Sequence, residues 1–157
     1  MGALYHHFPT KDDLGHAVIE EVVRAGLDAM VFAPLRESDA PFDVLAHIDY
    51  PKRYWPQGST YDACRFEGEF RKVLRAAARR EVALEINTTR GGAVERYLCP
   101  APAVLNWWRE EGGRAVSFGS DAHSPGYVGR GFDTATELAR SAGFEPQVDP
   151  NSFWVPS

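Results

Sequence analysis

Three short apolar runs, each carrying or leading into residues able to do chemistry, constrain this chain more than any other feature. They are Val44-Leu45-Ala46-His47-Ile48, Val82-Ala83-Leu84-Glu85-Ile86-Asn87 and Ala115-Val116-Ser117-Phe118-Gly119. Runs of this length read as buried strands, and the stretches between them are amphipathic at helical spacing. Phe66, Phe70, Val73, Leu74 and Ala77 line one face of a helix. A second helix spans Val104 to Glu111 and stops at Gly112-Gly113, and a last one runs from Thr134 to Ala142. A parallel neighbour can be reached only by a crossover, usually a helix, so this order predicts an α/β fold with mostly parallel strands.

The amino-terminal part reads differently. Thr10-Lys11-Asp12-Asp13 sets a hydroxyl three residues before an acid, the spacing of a capping box, and predicts a helix from Thr10 to Val31. Leu14, Val18, Val22 and Ala25 mark its expected apolar face. Residues 33–41 carry two prolines and no periodicity, the composition of a connector. The expected organisation is a helical segment over 1–42 and an α/β domain over 43–157.

Composition excludes several classes. With 44% hydrophobic and 25% charged residues in 157, the chain has enough apolar surface to form a core, unlike a disordered segment. Its net charge of −5 offers no general attraction for nucleic acid or anionic lipid. Cys64 and Cys99 have no CxxC partner, which points away from a zinc knuckle or a disulfide scaffold and towards a reducing compartment. No apolar run is long enough to span a membrane, and Met1 to Phe8 lacks a signal-peptide pattern. The expectation is a cytoplasmic protein without a membrane partner.

The sharpest chemical signal is Gly119-Ser120-Asp121-Ala122-His123-Ser124-Pro125, where the third apolar run gives way to a loop. In extended backbone, Asp121 and His123 leave the same face, and carboxylate with imidazole suits a metal ion. The alternative is a capping aspartate beside a hydrogen-bonded histidine. His47 lies at the end of another apolar run, and Glu85 lies in the middle one. In parallel α/β folds the carboxyl ends of the strands share one rim, where residues from different strands converge. Against this stand a structural His47 and a Glu85 paired with one of the arginines.

Together, Val44 to Tyr50, Ala83 to Thr88 and Ser117 to His123 resemble the successive late motifs of the PHP (polymerase and histidinol phosphatase) superfamily, in particular its histidinol-phosphatase-like branch. The resemblance extends roughly from Phe42 to Trp154. It implies part of a distorted β/α barrel and a metal-dependent phosphatase acting on phosphate monoesters, with zinc, manganese or iron as the divalent metal. It also implies His47, Asp121 and His123 as metal ligands, Glu85 as a characteristic position of the branch, and a phosphorylated small molecule as substrate, histidinol phosphate in the branch's own case. Arg90 follows the second motif, and its guanidinium fork suits a substrate phosphate.

The chain departs from the family in one respect. PHP members begin with an HxH motif and add further Glu and His ligands ahead of the matched region, whereas His6, His7 and His16 here follow no such pattern. The expectation is an incomplete metal cage and weak or no turnover by this chain alone. A partial barrel leaves sheet edges open, which favours homo-oligomers.

Gly2 to Leu14 resembles the recognition helix and following turn of TetR-type regulators, which would make Tyr5, His6 and Lys11 DNA-facing. Through residue 42, however, Lys11, Arg24 and Arg36 stand against Asp12, Asp13, Glu20, Glu21, Asp28, Glu37 and Asp39, a balance that opposes DNA binding. A helical element packed on the α/β domain is the other reading.

Overall fold

A computed structural model describes residues 10–27, 42–55, 60–88 and 98–157. Its elements in chain order are helix α1 (Lys11–Leu27), strand β1 (Val44–Leu45), helix α2 (Glu67–Ala78), strand β2 (Ala83–Asn87), helix α3 (Pro102–Glu110), strand β3 (Val116–Gly119), helix α4 (Phe132–Ser141) and strands β4 (Phe144–Glu145) and β5 (Val155–Pro156). Short 3-10 turns cover Tyr50–Tyr54, Ala63–Phe66 and Pro125–Tyr127.

The sheet has the order β1-β2-β3, all parallel, with Val44 opposite Ala83 and Leu84 opposite Val116. α2 and α3 are the crossovers, as the alternating pattern requires, and they pack on each other. The helical face read from sequence is the core: Phe66, Phe70, Val73, Leu74 and Ala77 are fully buried, together with Leu84, Ile86, Val104, Leu105, Trp108 and Val116. β4 and β5 pair antiparallel, and a bridge from Val116 to Trp154 carries the chain's end along the outer side of β3. Neither feature shows in the hydrophobic pattern, because both are only two residues long or less.

α1 carries the expected cap. Thr10 Oγ1 accepts from the Asp13 N–H at 3.1 Å, and Asp13 Oδ2 accepts from the Thr10 N–H at 2.9 Å. Its expected face is corrected, since Val18 is 53% exposed and Ala25 is also exposed. α1 docks through rings and charges instead. His16 packs against Trp55, Glu20 pairs with Arg65, and Arg24 pairs with Glu69 at 3.4 Å while lying over Phe66. α1 thus rests on α2 and the turns beside it, which is the packed-helix reading of this segment. Residues 28–31 of the expected helix lie outside the described residues.

β1 stops after Leu45, three residues before the expected end. His47 turns the chain with φ of 55°, a left-handed value incompatible with a continuing strand. Both cysteines are free, Cys64 exposed and Cys99 buried. Among the described residues, no helix is long and apolar enough to cross a membrane.

Candidate active site

Parallel pairing places the carboxyl ends of β1, β2 and β3 on one rim. His47 follows β1, Glu85 and Asn87 share one face of β2, and Asp121 follows β3. Three of these side chains meet. His47 Nδ1 lies 3.4 Å from Glu85 Oε2, and His47 Nε2 lies 4.0 Å from Asp121 Oδ2. Asn87 Nδ2 donates to the same Glu85 Oε2 at 3.2 Å. All three groups are partly sheltered, with side-chain exposures of 36% for His47, 17% for Glu85 and 31% for Asp121.

Both His47 and Asp121 have positive φ, 55° and 47°. For non-glycine residues this is uncommon and costs free energy, and such positions concentrate where a side chain must be aimed at a particular place. At Asp121 it also removes the premise of extended backbone. His123 turns outward, with 84% of its side chain exposed, and its Nδ1–H donates to the Asp121 carbonyl at 2.8 Å. Its Nδ1 is 3.9 Å from Asp121 Oδ1, so Asp121 and His123 stand side by side without pointing into one space.

Two carboxylates therefore face one imidazole, and among the described residues neither Glu85 nor Asp121 has an arginine or lysine partner. Acids in partial shelter without an arginine or lysine beside them favour a cation between them. In that sense the donor chemistry fits a divalent metal. Its geometry is open, however, for among the described residues no three His, Cys, Asp or Glu side chains form a group able to hold an ion. On the same side, Tyr50 packs edge-on against the His47 ring with centroids 5.4 Å apart, and the Arg53 guanidinium lies 4.8 Å above the Tyr50 ring.

Asn87 could have been found from sequence, since it lies two residues beyond Glu85 and so shares its strand face. Arg53 could not, because its place depends on the turn after His47. Arg90, Tyr5 and His6 lie outside the described residues, and Lys11 is exposed at the start of α1.

No family model matches the sequence. A probable histidinol-phosphatase of Thermotoga maritima is 31% identical over 128 residues, which is 80% of this chain and 51% of that protein. A second, from Clostridium acetobutylicum, is 34% identical over 108 residues, 66% of this chain and 41% of the other. This chain is a distant homologue of histidinol-phosphatases. It spans about half the length, or less, of the curated relatives it matches.

The histidinol-phosphatase homology also has a counterpart in fold. The crystal structure of histidinol phosphate phosphatase from Lactococcus lactis, complexed with zinc, L-histidinol and phosphate, superposes with a TM-score of 0.61 at 24% identity. The match covers 87% of this chain and 48% of that one. The α/β architecture with its parallel three-stranded sheet thus matches part of that protein's fold. The match to the Thermotoga protein covers 80% of this chain, more than residues 43–157 make up, and so extends into the amino-terminal part over 1–42. No comparison supports a TetR-type part, and α1 is packed against the phosphatase-like core.

Proposed function

We propose that this chain carries one rim of a phosphate-monoester hydrolase site of histidinol-phosphatase type. The convergence of His47 and Asp121, which follow β1 and β3, on Glu85 within β2 is the observation that carries the reading. Homology to histidinol-phosphatases supports the class, and the zinc, histidinol and phosphate bound by the Lactococcus lactis protein suggest the ligands. His47 and Asp121 would hold a divalent cation, zinc, manganese or iron, with His123 as a third donor after a side-chain and loop rotation. Bound there, the cation would supply positive charge against the phosphoryl oxygens.

The chain's own residues have further roles in this reading. Arg53, held over Tyr50, and Arg90 would meet the substrate phosphate through their planar forks. Asp121 and Glu85 would exclude an unneutralised phosphate, which makes binding depend on the cation. With His47 and Asp121 as the converging ligands among the described residues, turnover by this chain alone would be slow.

The test is phosphate release from histidinol phosphate with added manganese or zinc. Release that falls at least about tenfold in His47→Ala and in Asp121→Ala is the expected result. Release unchanged by both substitutions would overturn the reading.

A further inference from the structure

The carboxylate of Glu85 occupies space that only a glycine on the neighbouring strand can leave. β2 and β3 are in register, with Asn87 opposite Gly119 and Glu85 opposite Ser117. A Cβ placed on Gly119 would fall 2.1 Å from Glu85 Oε1, 3.0 Å from its Cδ and 3.3 Å from Asn87 Nδ2. Gly119 has no positive φ, so backbone conformation does not require glycine there. What the site requires is the missing side chain. The carboxylate leans over β3, its Oε1 against Gly119 and its Oε2 towards His47 Nδ1 and the Asn87 amide.

We infer that Glu85 is a positioning residue for His47, and that the bare backbone at Gly119 is the slot that admits it. The chemistry follows from which imidazole nitrogen faces what. A carboxylate can only accept, and Glu85 Oε2 lies nearer to Nδ1, at 3.4 Å, than Asp121 Oδ2 does to Nε2, at 4.0 Å, so the neutral ring favours its proton on Nδ1. Nε2 then carries the lone pair and faces Asp121 Oδ2, two bare donors across 4.0 Å. Two such donors would supply part of a cation's shell, with the second carboxylate fixing the ring from behind. Asn87 holds Glu85 in turn through its amide N–H. The inference rests on the reading of His47 and Asp121 given above, but the tautomer is a property of the metal-free chain and can be measured without turnover.

The experiment is a long-range proton–nitrogen correlation spectrum of the metal-free, nitrogen-15-labelled chain at about pH 8, where an ordinary imidazole is neutral. The His47 signals are assigned by their loss in His47→Gln. The expected wild-type pattern is a single tautomer with Nδ1 protonated and Nε2 bare. Glu85→Gln keeps an acceptor oxygen and should preserve it, whereas Glu85→Ala should replace it with the averaged pattern of two exchanging tautomers. Gly119→Ala should do the same, because the new methyl meets the far end of a flexible side chain and displaces it without breaking the sheet. If Gly119→Ala fails to fold by circular dichroism, Glu85→Ala decides. A wild-type ring protonated on Nε2, or a pattern unaltered in Glu85→Ala, would overturn the inference. Phosphate release read on the same samples separates the two claims. Release abolished in His47→Ala with no tautomer change in Glu85→Ala sinks the positioning role alone. The expected tautomer changes with release unaltered in both His47→Ala and Asp121→Ala support that role and sink the hydrolase reading.

Discussion

Lys52 Nζ sits 2.9 Å from Asp49 Oδ2, and neither side chain is exposed at all. Asp49 Oδ2 also accepts from the Ala101 N–H at 2.7 Å, and Lys52 donates to the Leu98 carbonyl. The pair thus ties the turn after His47 to the start of α3. Desolvating two charges offsets most of their attraction, so the pair as a whole adds little net stability, but each member alone would be a bare buried charge. Lys52→Met should destabilise the fold by about 3–5 kcal/mol in urea unfolding. Adding Asp49→Leu should recover part of that loss, leaving mainly the cost of the unpaired Ala101 N–H, about 1–3 kcal/mol. A double variant as unstable as Lys52→Met would contradict this account.

Helices α2 and α3 are joined by a charge network centred on Glu111. Arg75 Nε donates to its Oε2 at 2.6 Å and Arg71 Nη1 to its Oε1 at 3.0 Å. These hydrogen bonds, Arg75 first, hold the Glu111 carboxyl below its ordinary value of 4.5. A folded-state pKa below the unfolded one gives stability that is present above the unfolded value and lost as pH falls through the folded one. Wild-type stability should therefore drop more steeply than that of Glu111→Gln below pH 4.5. At neutral pH the variant should lose about 1 kcal/mol, because Arg75 keeps more than half of its side chain in solvent while Glu111 is 10% exposed. Parallel acid limbs in the two proteins would count against it.

Gly113 faces a less forgiving neighbour than Gly119 does. A Cβ there would lie 2.1 Å from the ring atoms Cδ2 and Cε2 of Trp108, which is fully buried and donates from Nε1 to the Ala115 carbonyl at 3.1 Å. A rigid indole in the core cannot give way as a glutamate tip can. Gly113→Ala should cost about 1–3 kcal/mol and shift tryptophan emission to the red, whereas Gly119→Ala should leave the melting temperature nearly unchanged. Equal melting temperatures for the two variants would refute the distinction.

These contacts also mark where sequence reading stops. The three strands, their crossovers and the rim were legible because burial on both faces writes itself as apolar runs, and α2 as a helical stripe. The docking face of α1 was misread because its burial comes from His16, Glu20 and Arg24 meeting rings and charges, which an aliphatic stripe does not record. His47 and Asp121 were legible as residues following strands and Glu85 as one within a strand, but the outward turn of His123 was not, since nothing in Asp-Ala-His announces a left-handed aspartate. Gly119 and the Asp49–Lys52 pair were invisible for one reason: each takes its role from a partner fixed only by register or by a distant turn.

The account stands or falls on His47 and Asp121 sharing one cation. Isothermal titration of zinc or manganese into the metal-free chain measures this directly. Binding weakened at least about tenfold in both His47→Ala and Asp121→Ala is the result expected. Affinity and stoichiometry unchanged in both variants would contradict it.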